Sequence, residues 1–157
     1  MGQHYLDPVQ YILGKDEESP VRIEVDAPPQ HPDVVGSFRR LTAIYADGCR
    51  IVLDGDESLK TEPFLQGPKG SIRTKLASDI PNLAKTVADL PDPAPQNTDF
   101  MECIRTRKPF ALNERNGFRS ATLVNLFAVA MRAGRNIDFD PATMRAPYDA
   151  LANRYIY

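Results

Sequence analysis

His4 and Asp7 stand three residues apart in a segment whose apolar residues recur at helical spacing. On a helix that interval puts both side chains on one face. An imidazole titrates near neutral pH. A carboxylate close to it can orient the ring or share a substrate hydroxyl with it. Such a pair suits proton transfer at a hydroxyl group. It also has a plain structural use, because polar residues near a helix start cap free backbone donors. The second histidine, His31, sits between Gln30 and Pro32 and reads as an exposed or loop-packed side chain. The densest basic pieces are Arg105-Thr106-Arg107-Lys108 and the stretch from Arg115 to Arg119. Arginine forks recognise phosphate, but beside a helix end these pieces read more simply as solvated charge.

Other chemistries lack their motifs. Gly67 and Gly70 lie in a hairpin-like stretch, not between a strand and a helix, so no dinucleotide-binding glycine fingerprint is present. Cys49 and Cys103 form no CxxC and have no histidine cluster near them. They read as small apolar residues rather than metal ligands, with a disulfide between them conceivable. The 157 residues carry 19 basic and 21 acidic side chains, a formal charge of −2. No basic field favours nucleic acid or an anionic membrane. No apolar run approaches the roughly 20 residues that span a bilayer. The N-terminus has no basic segment followed by an apolar one, and the expectation is a cytoplasmic protein.

The elements that position His4 and Asp7 follow from periodicity. Tyr5, Leu6, Val9, Ile12 and Leu13 predict a helix from His4 to Leu13, ended by Gly14. Pro8 would suit its first turn if the helix began near Leu6. Val21, Ile23 and Val25 alternate with Arg22, Glu24 and Asp26, which predicts a strand with one wet face. Asp47-Gly48 between Phe38–Ala46 and Cys49–Leu53 predicts a two-residue hairpin, with Ile44 opposite Ile51 and Thr42 opposite Leu53. A second hairpin is expected about Gly67–Gly70, giving a meander of about five strands. Helices are expected near Asn82–Leu90, from Asn97 or Thr98 to Arg107, from Asn116 or Gly117 to Ala133, and over Pro147–Tyr155. Phe100, Met101, Ile104 and Cys103 would form the apolar stripe of the second of these, and Ile137 with Phe139 a short strand. Pro91, Pro93 and Pro95 read as a stiff connector. No proline falls between Asp33 and Glu62 or between Phe110 and Asp140, so those windows should hold the most regular structure. The fold class is α+β: a single domain over 1–157, with an open, mostly antiparallel sheet and helices packed on one face.

Several stretches resemble the Gfo/Idh/MocA oxidoreductases, the family of glucose–fructose oxidoreductase and inositol dehydrogenase. The residues Met1-Gly2-Gln3-His4-Tyr5-Leu6-Asp7-Pro8-Val9-Gln10-Tyr11-Ile12-Leu13-Gly14 are similar to its His- and Asp-bearing helix. Phe100 to Pro109 resembles a later helix ending in a basic Pro-terminated turn. Gly117 to Leu123 and Ala133 to Thr143 are similar to its last long helix and closing strand. The resemblance runs over nearly the whole chain in the same order.

What the resemblance implies is the C-terminal, substrate-binding and oligomer-forming part of an NAD(P)-dependent sugar or polyol oxidoreductase. His4 falls on the histidine that moves a proton at the reacting hydroxyl. Asp7 falls on a position that contacts substrate hydroxyls. The nucleotide-binding Rossmann domain, the catalytic lysine and the first aspartate of the helix motif have no counterpart in these residues. The expectation is therefore a part of an enzyme, inactive alone, with no cofactor bound by this chain and no metal. A dimer or tetramer would form through the sheet face, judged from two-sided apolar character around Ala43, Tyr45, Cys49 and Val52. A stand-alone module that binds a polyol or only dimerises is the alternative.

Overall fold

The computed structural model describes residues 2–31, 33–92, 97–111 and 113–156. The chain starts with helix α1 (Gly2–Ile12), followed by strands β1 (Arg22–Asp26), β2 (Arg40–Ile44) and β3 (Arg50–Asp54). A small ribbon of β4 (Leu65–Gly67) and β5 (Gly70–Ile72) comes next, then a single 3₁₀ turn over Thr74–Leu76. Helices α2 (Leu83–Ala88), α3 (Phe100–Thr106) and α4 (Glu114–Ala133), strand β6 (Ile137–Asp138) and helix α5 (Ala150–Ile156) complete the order. The α+β expectation holds, and the proline-free windows contain β2, β3 and α4.

The main sheet has four antiparallel strands in the order β3-β2-β1-β6. The five-strand meander does not form, because β4 and β5 pair only with each other as a separate ribbon. The fourth strand comes instead from the far end of the chain, with Ile23 opposite Ile137.

The β2–β3 hairpin forms, but one residue away from the expected register. Ala43 lies opposite Ile51 and Leu41 opposite Leu53. The connection has three residues, Ala46-Asp47-Gly48, closed by the Gly48 N–H donating to the Tyr45 carbonyl at 2.9 Å. Gly48 takes φ +85°, which side chains disfavour and a three-residue turn requires. A slip of one residue exchanges the faces of every side chain. Ala43 and Tyr45 therefore lie with Leu41, Ile51 and Ile23 on the covered face and are buried. Cys49 packs against this same cluster. Of the residues read as a second apolar face, only Val52 points the other way.

That other face is charged. Glu24 pairs with Arg22 at 3.6 Å and with Arg50 at 3.3 Å, and Arg22 also reaches Asp138. Thr42, beneath this lattice, is buried despite its open side. Long side chains cover the strand with their aliphatic stems while their charged heads stay in water.

Helix α4 supplies the cover for the core face. Its N-cap is Asn113, whose side chain accepts from the backbone N–H groups of Arg115 and Asn116. The helix therefore starts at Glu114, two or three residues before the expected Asn116 or Gly117, and Gly134 ends it at φ +64° as expected. Leu123, Leu126, Phe127, Val129, Ala130 and Met131 are buried. So many faces are covered because α4 packs on β1 and β2 while α1 and α5 pack on α4.

Helix α1 begins at Gly2, with Pro8 in its interior. The proline has no N–H to return to the His4 carbonyl. Only part of the expected stripe faces inward: Leu6 is buried and Val9 and Leu13 join the core edge, whereas Tyr5 and Ile12 face solvent. The fourth inward residue is polar. Gln10 is 2% exposed and donates through Nε2 to the Tyr45 hydroxyl at 3.3 Å, while its Oε1 has no partner among the described residues. Lys15 lies close by, bridging Glu18 at 2.9 Å and Asp47 at 2.8 Å, with its Nζ over the Tyr45 ring, 5.3 Å from the ring centroid. This cluster ties the end of α1 to the β2–β3 turn.

The short helix α3 differs from its expected stripe. Asp99, not Asn97 or Thr98, caps it, accepting from the Glu102 N–H at 2.9 Å. Only Cys103 turns inward, and Phe100, Met101 and Ile104 are exposed. Both cysteines are free. Residues 93–96 of the proline-rich connector lie outside the described residues.

Candidate functional site

His4 and Asp7 lie on the exposed side of α1, one helical step apart. They face the first turns of α4 across a cleft of about 340 Å³. Gln3 and Pro8 complete the α1 wall, and Asn113, Asn116, Gly117 and Ser120 form the opposite one. This volume lies within the range of small-molecule sites, roughly 300–1,000 Å³.

The two walls are held together by the core. Leu6 and Gln10 anchor α1 from its inner side, which turns His4 and Asp7 outward. Val124 of α4 packs near Gly2, with Val124 Cγ2 3.6 Å from where a β-carbon would stand. On the α4 side, Asn113 uses its carboxamide oxygen for the cap, with Arg115 N at 3.0 Å and Asn116 N at 3.4 Å. Its nitrogen donates to the Phe110 carbonyl at 3.2 Å. Ser120 is buried at the back of the cleft. The helix start adds a partial positive charge to this wall.

His4 makes no hydrogen bond or ion pair with Asp7 among the described residues, so both can turn to a ligand. The cleft thus joins an imidazole, a carboxylate, three carboxamides and a hydroxyl. These are groups that bind and orient hydroxylated molecules, with the imidazole able to take or give a proton.

The other sequence candidates lie elsewhere. His31 is exposed, and its Nδ1 accepts from the Asp33 N–H at 3.2 Å. The basic pieces divide. Arg105 pairs with Glu102, and Arg119 donates to Ser19 Oγ at 2.9 Å. Arg107, Lys108 and Arg115 turn to the other side of Asn113. No group of three or more His, Cys, Asp or Glu among the described residues could hold a metal ion. Asn113, Asn116 and Ser120 were not identified from sequence as site residues. Asn113 carried a usable signal, since an asparagine just before a helical pattern is a favoured cap.

Residues 1–157 match the family model described as "Oxidoreductase family, C-terminal alpha/beta domain". The chain belongs to the Gfo/Idh/MocA oxidoreductases. No curated protein and no solved structure gives a match. Gfo/Idh/MocA enzymes commonly use NAD(P). A dinucleotide pyrophosphate sits on a glycine-rich turn between a parallel strand and a helix. Every strand pair among the described residues is antiparallel, and Gly67 pairs with Gly70 at the end of a hairpin. The described residues of this Gfo/Idh/MocA domain do not fit that group. No helix is long and apolar enough to cross a membrane among the described residues.

Proposed function

We propose that this chain is the substrate-binding part of an NAD(P)-dependent oxidoreductase acting on a sugar or polyol, and that the cleft between α1 and α4 takes the substrate. The observation that carries this is the meeting of His4 and Asp7 with Asn113, Asn116 and Ser120 across one small-molecule-sized cleft. In this reading His4 takes the proton of the reacting hydroxyl, and Asp7 accepts a hydrogen bond from a neighbouring one. Asn116 and Ser120 orient the remaining hydroxyls. The dinucleotide is held by residues other than these, so the chain alone binds without turnover.

The test is a ¹H–¹⁵N NMR titration of the chain with D-glucose and with myo-inositol. Shifts should cluster at Gln3, His4, Asp7, Asn116 and Ser120, and Asp7→Asn should weaken binding about tenfold, the value of one charge-assisted hydrogen bond. Shifts scattered over the surface, or none, would refute the assignment.

We also propose self-association through the charged face of the main sheet. Both signs of charge are exposed there, with Glu24 of β1 between Arg22 of β1 and Arg50 of β3, and an isologous two-fold contact can set the arginines of one copy against the carboxylates of the other. Sedimentation should show a dimer or tetramer that dissociates as salt rises. A monomer at low salt would refute this face.

A further inference from the structure

A second cleft, of about 530 Å³, opens on the other side of the α4 N-terminus, between α3 and α4. Asn113 lines both clefts. Three cations, Arg107, Lys108 and Arg115, line this one, with Glu114 as the single carboxylate. None of the three cations has an ion pair or a side-chain hydrogen bond among the described residues. The lining also holds apolar residues: Ile104 and the edge-to-face pair Phe100 and Phe110, with ring centroids 5.9 Å apart. Arg107 ends α3 as its left-handed C-cap, at φ 58°.

We propose that the substrate carries a phosphate ester, its hydroxyls lying against His4 and Asp7 and its phosphate seated between Arg107, Lys108 and Arg115. This rests on the reading that the α1–α4 cleft binds substrate. A bound molecule passing from one cleft to the other crosses the first turn of α4, where the helix end favours negative charge. Three cations against one carboxylate match a phosphate ester, which carries about −1.5 to −2 at neutral pH, better than a carboxylate's single charge. Arginine forks bind phosphate oxygens in pairs. Phe100, Ile104 and Phe110 add an apolar lining against which the carbon skeleton next to the phosphate can pack.

The experiment compares D-glucose, D-glucose 6-phosphate, D-gluconate and inorganic phosphate on the chain, by NMR and calorimetry. Glucose 6-phosphate should bind at least about tenfold tighter than glucose. It should shift Arg107 and Arg115 together with His4 and Asp7, and its advantage should shrink as salt rises. The double variant Arg107→Gly, Arg115→Ala should remove that advantage while leaving glucose binding within about twofold, since neither arginine lines the first cleft. Glycine suits the backbone at position 107, and an unchanged melting temperature verifies the fold. Glucose and glucose 6-phosphate binding equally well would overturn the phosphate while leaving the sugar cleft standing. Failure of both to bind would overturn both proposals. Gluconate binding as tightly as the phosphate ester, or a phosphate ester that leaves His4 and Asp7 unshifted, would also overturn this one.

Discussion

Replacing Leu6 by alanine tests whether α1 is held where the site requires it. Leu6 is 2% exposed, and with Gln10 it is one of the two buried residues of the helix. The substitution removes three carbon atoms, about 2.4 kcal/mol of transfer free energy at roughly 0.8 kcal/mol each. A cavity contribution of about 24 cal/mol per Å³ adds to this. Because α1 lies on the outside of α4 it can settle inward, which keeps the residual cavity small and adds about 0.5–1 kcal/mol. The expected loss is therefore about 3 kcal/mol. For a chain of 157 residues that lowers the melting temperature by about 6–12 °C. Urea unfolding followed by circular dichroism should show a lower midpoint at an unchanged slope. The control is Tyr5→Ala at the neighbouring position, which is 70% exposed. It should stay within about 0.5 kcal/mol. A Leu6→Ala loss below about 1 kcal/mol, or a Tyr5→Ala loss as large, would mean that α1 is rotated about its axis. His4 and Asp7 would then not face α4.

Two more perturbations probe the sheet. Burial pushes the Tyr45 hydroxyl up to about 12, with the Gln10 hydrogen bond pulling the other way. The unfolded chain ionises near 10 while the native state keeps its proton, so stability should fall as pH rises from 10 toward 12. Tyr45→Phe should flatten that alkaline fall in pH-dependent denaturation, and an unaltered slope would show that Tyr45 is open to water. At Gly55 a β-carbon would meet the ring of Phe38 at 2.8 Å and its carbonyl oxygen still closer. Gly55→Ala should cost about 1–3 kcal/mol by the overpacking it forces, and a melting temperature equal to that of the parent would contradict the close approach.

Periodicity located most of the elements because each depends on local residues. The alternation of Ile23 and Val25 with charged neighbours identified β1, and Gly134 marked the end of α4. Pairing was less legible. Asp47-Gly48 signals a turn, but whether Ala46 joins the turn or the strand depends on the twist of the finished hairpin, and the register shifted by one with that choice. The partner of β1 on its outer side, β6, lies more than a hundred residues away, so no local pattern could rank it above β5. The site divides in the same way. Spacing alone put His4 and Asp7 on one helix face. Asn113, Asn116 and Ser120 became their neighbours only through the packing of α1 on α4. The three exposed apolar residues of α3 show a further limit: a stripe states what could be buried, and packing decides what is.

The sheet order has a consequence for synthesis. Strands β1, β2 and β3 are consecutive and can pair as soon as Asp54 has emerged, but the helix that covers them starts only at Glu114. At about 5–20 residues per second, the roughly 60 intervening residues take about 3–12 s to make. Through that interval Ile23, Leu41, Ala43 and Ile51 face water on a nascent three-stranded sheet. The edge of β1 that later receives β6 stays open longer still. The growing chain thus presents a bare apolar face and an unpaired strand edge together, the combination that folding helpers capture and that neighbouring nascent chains can join.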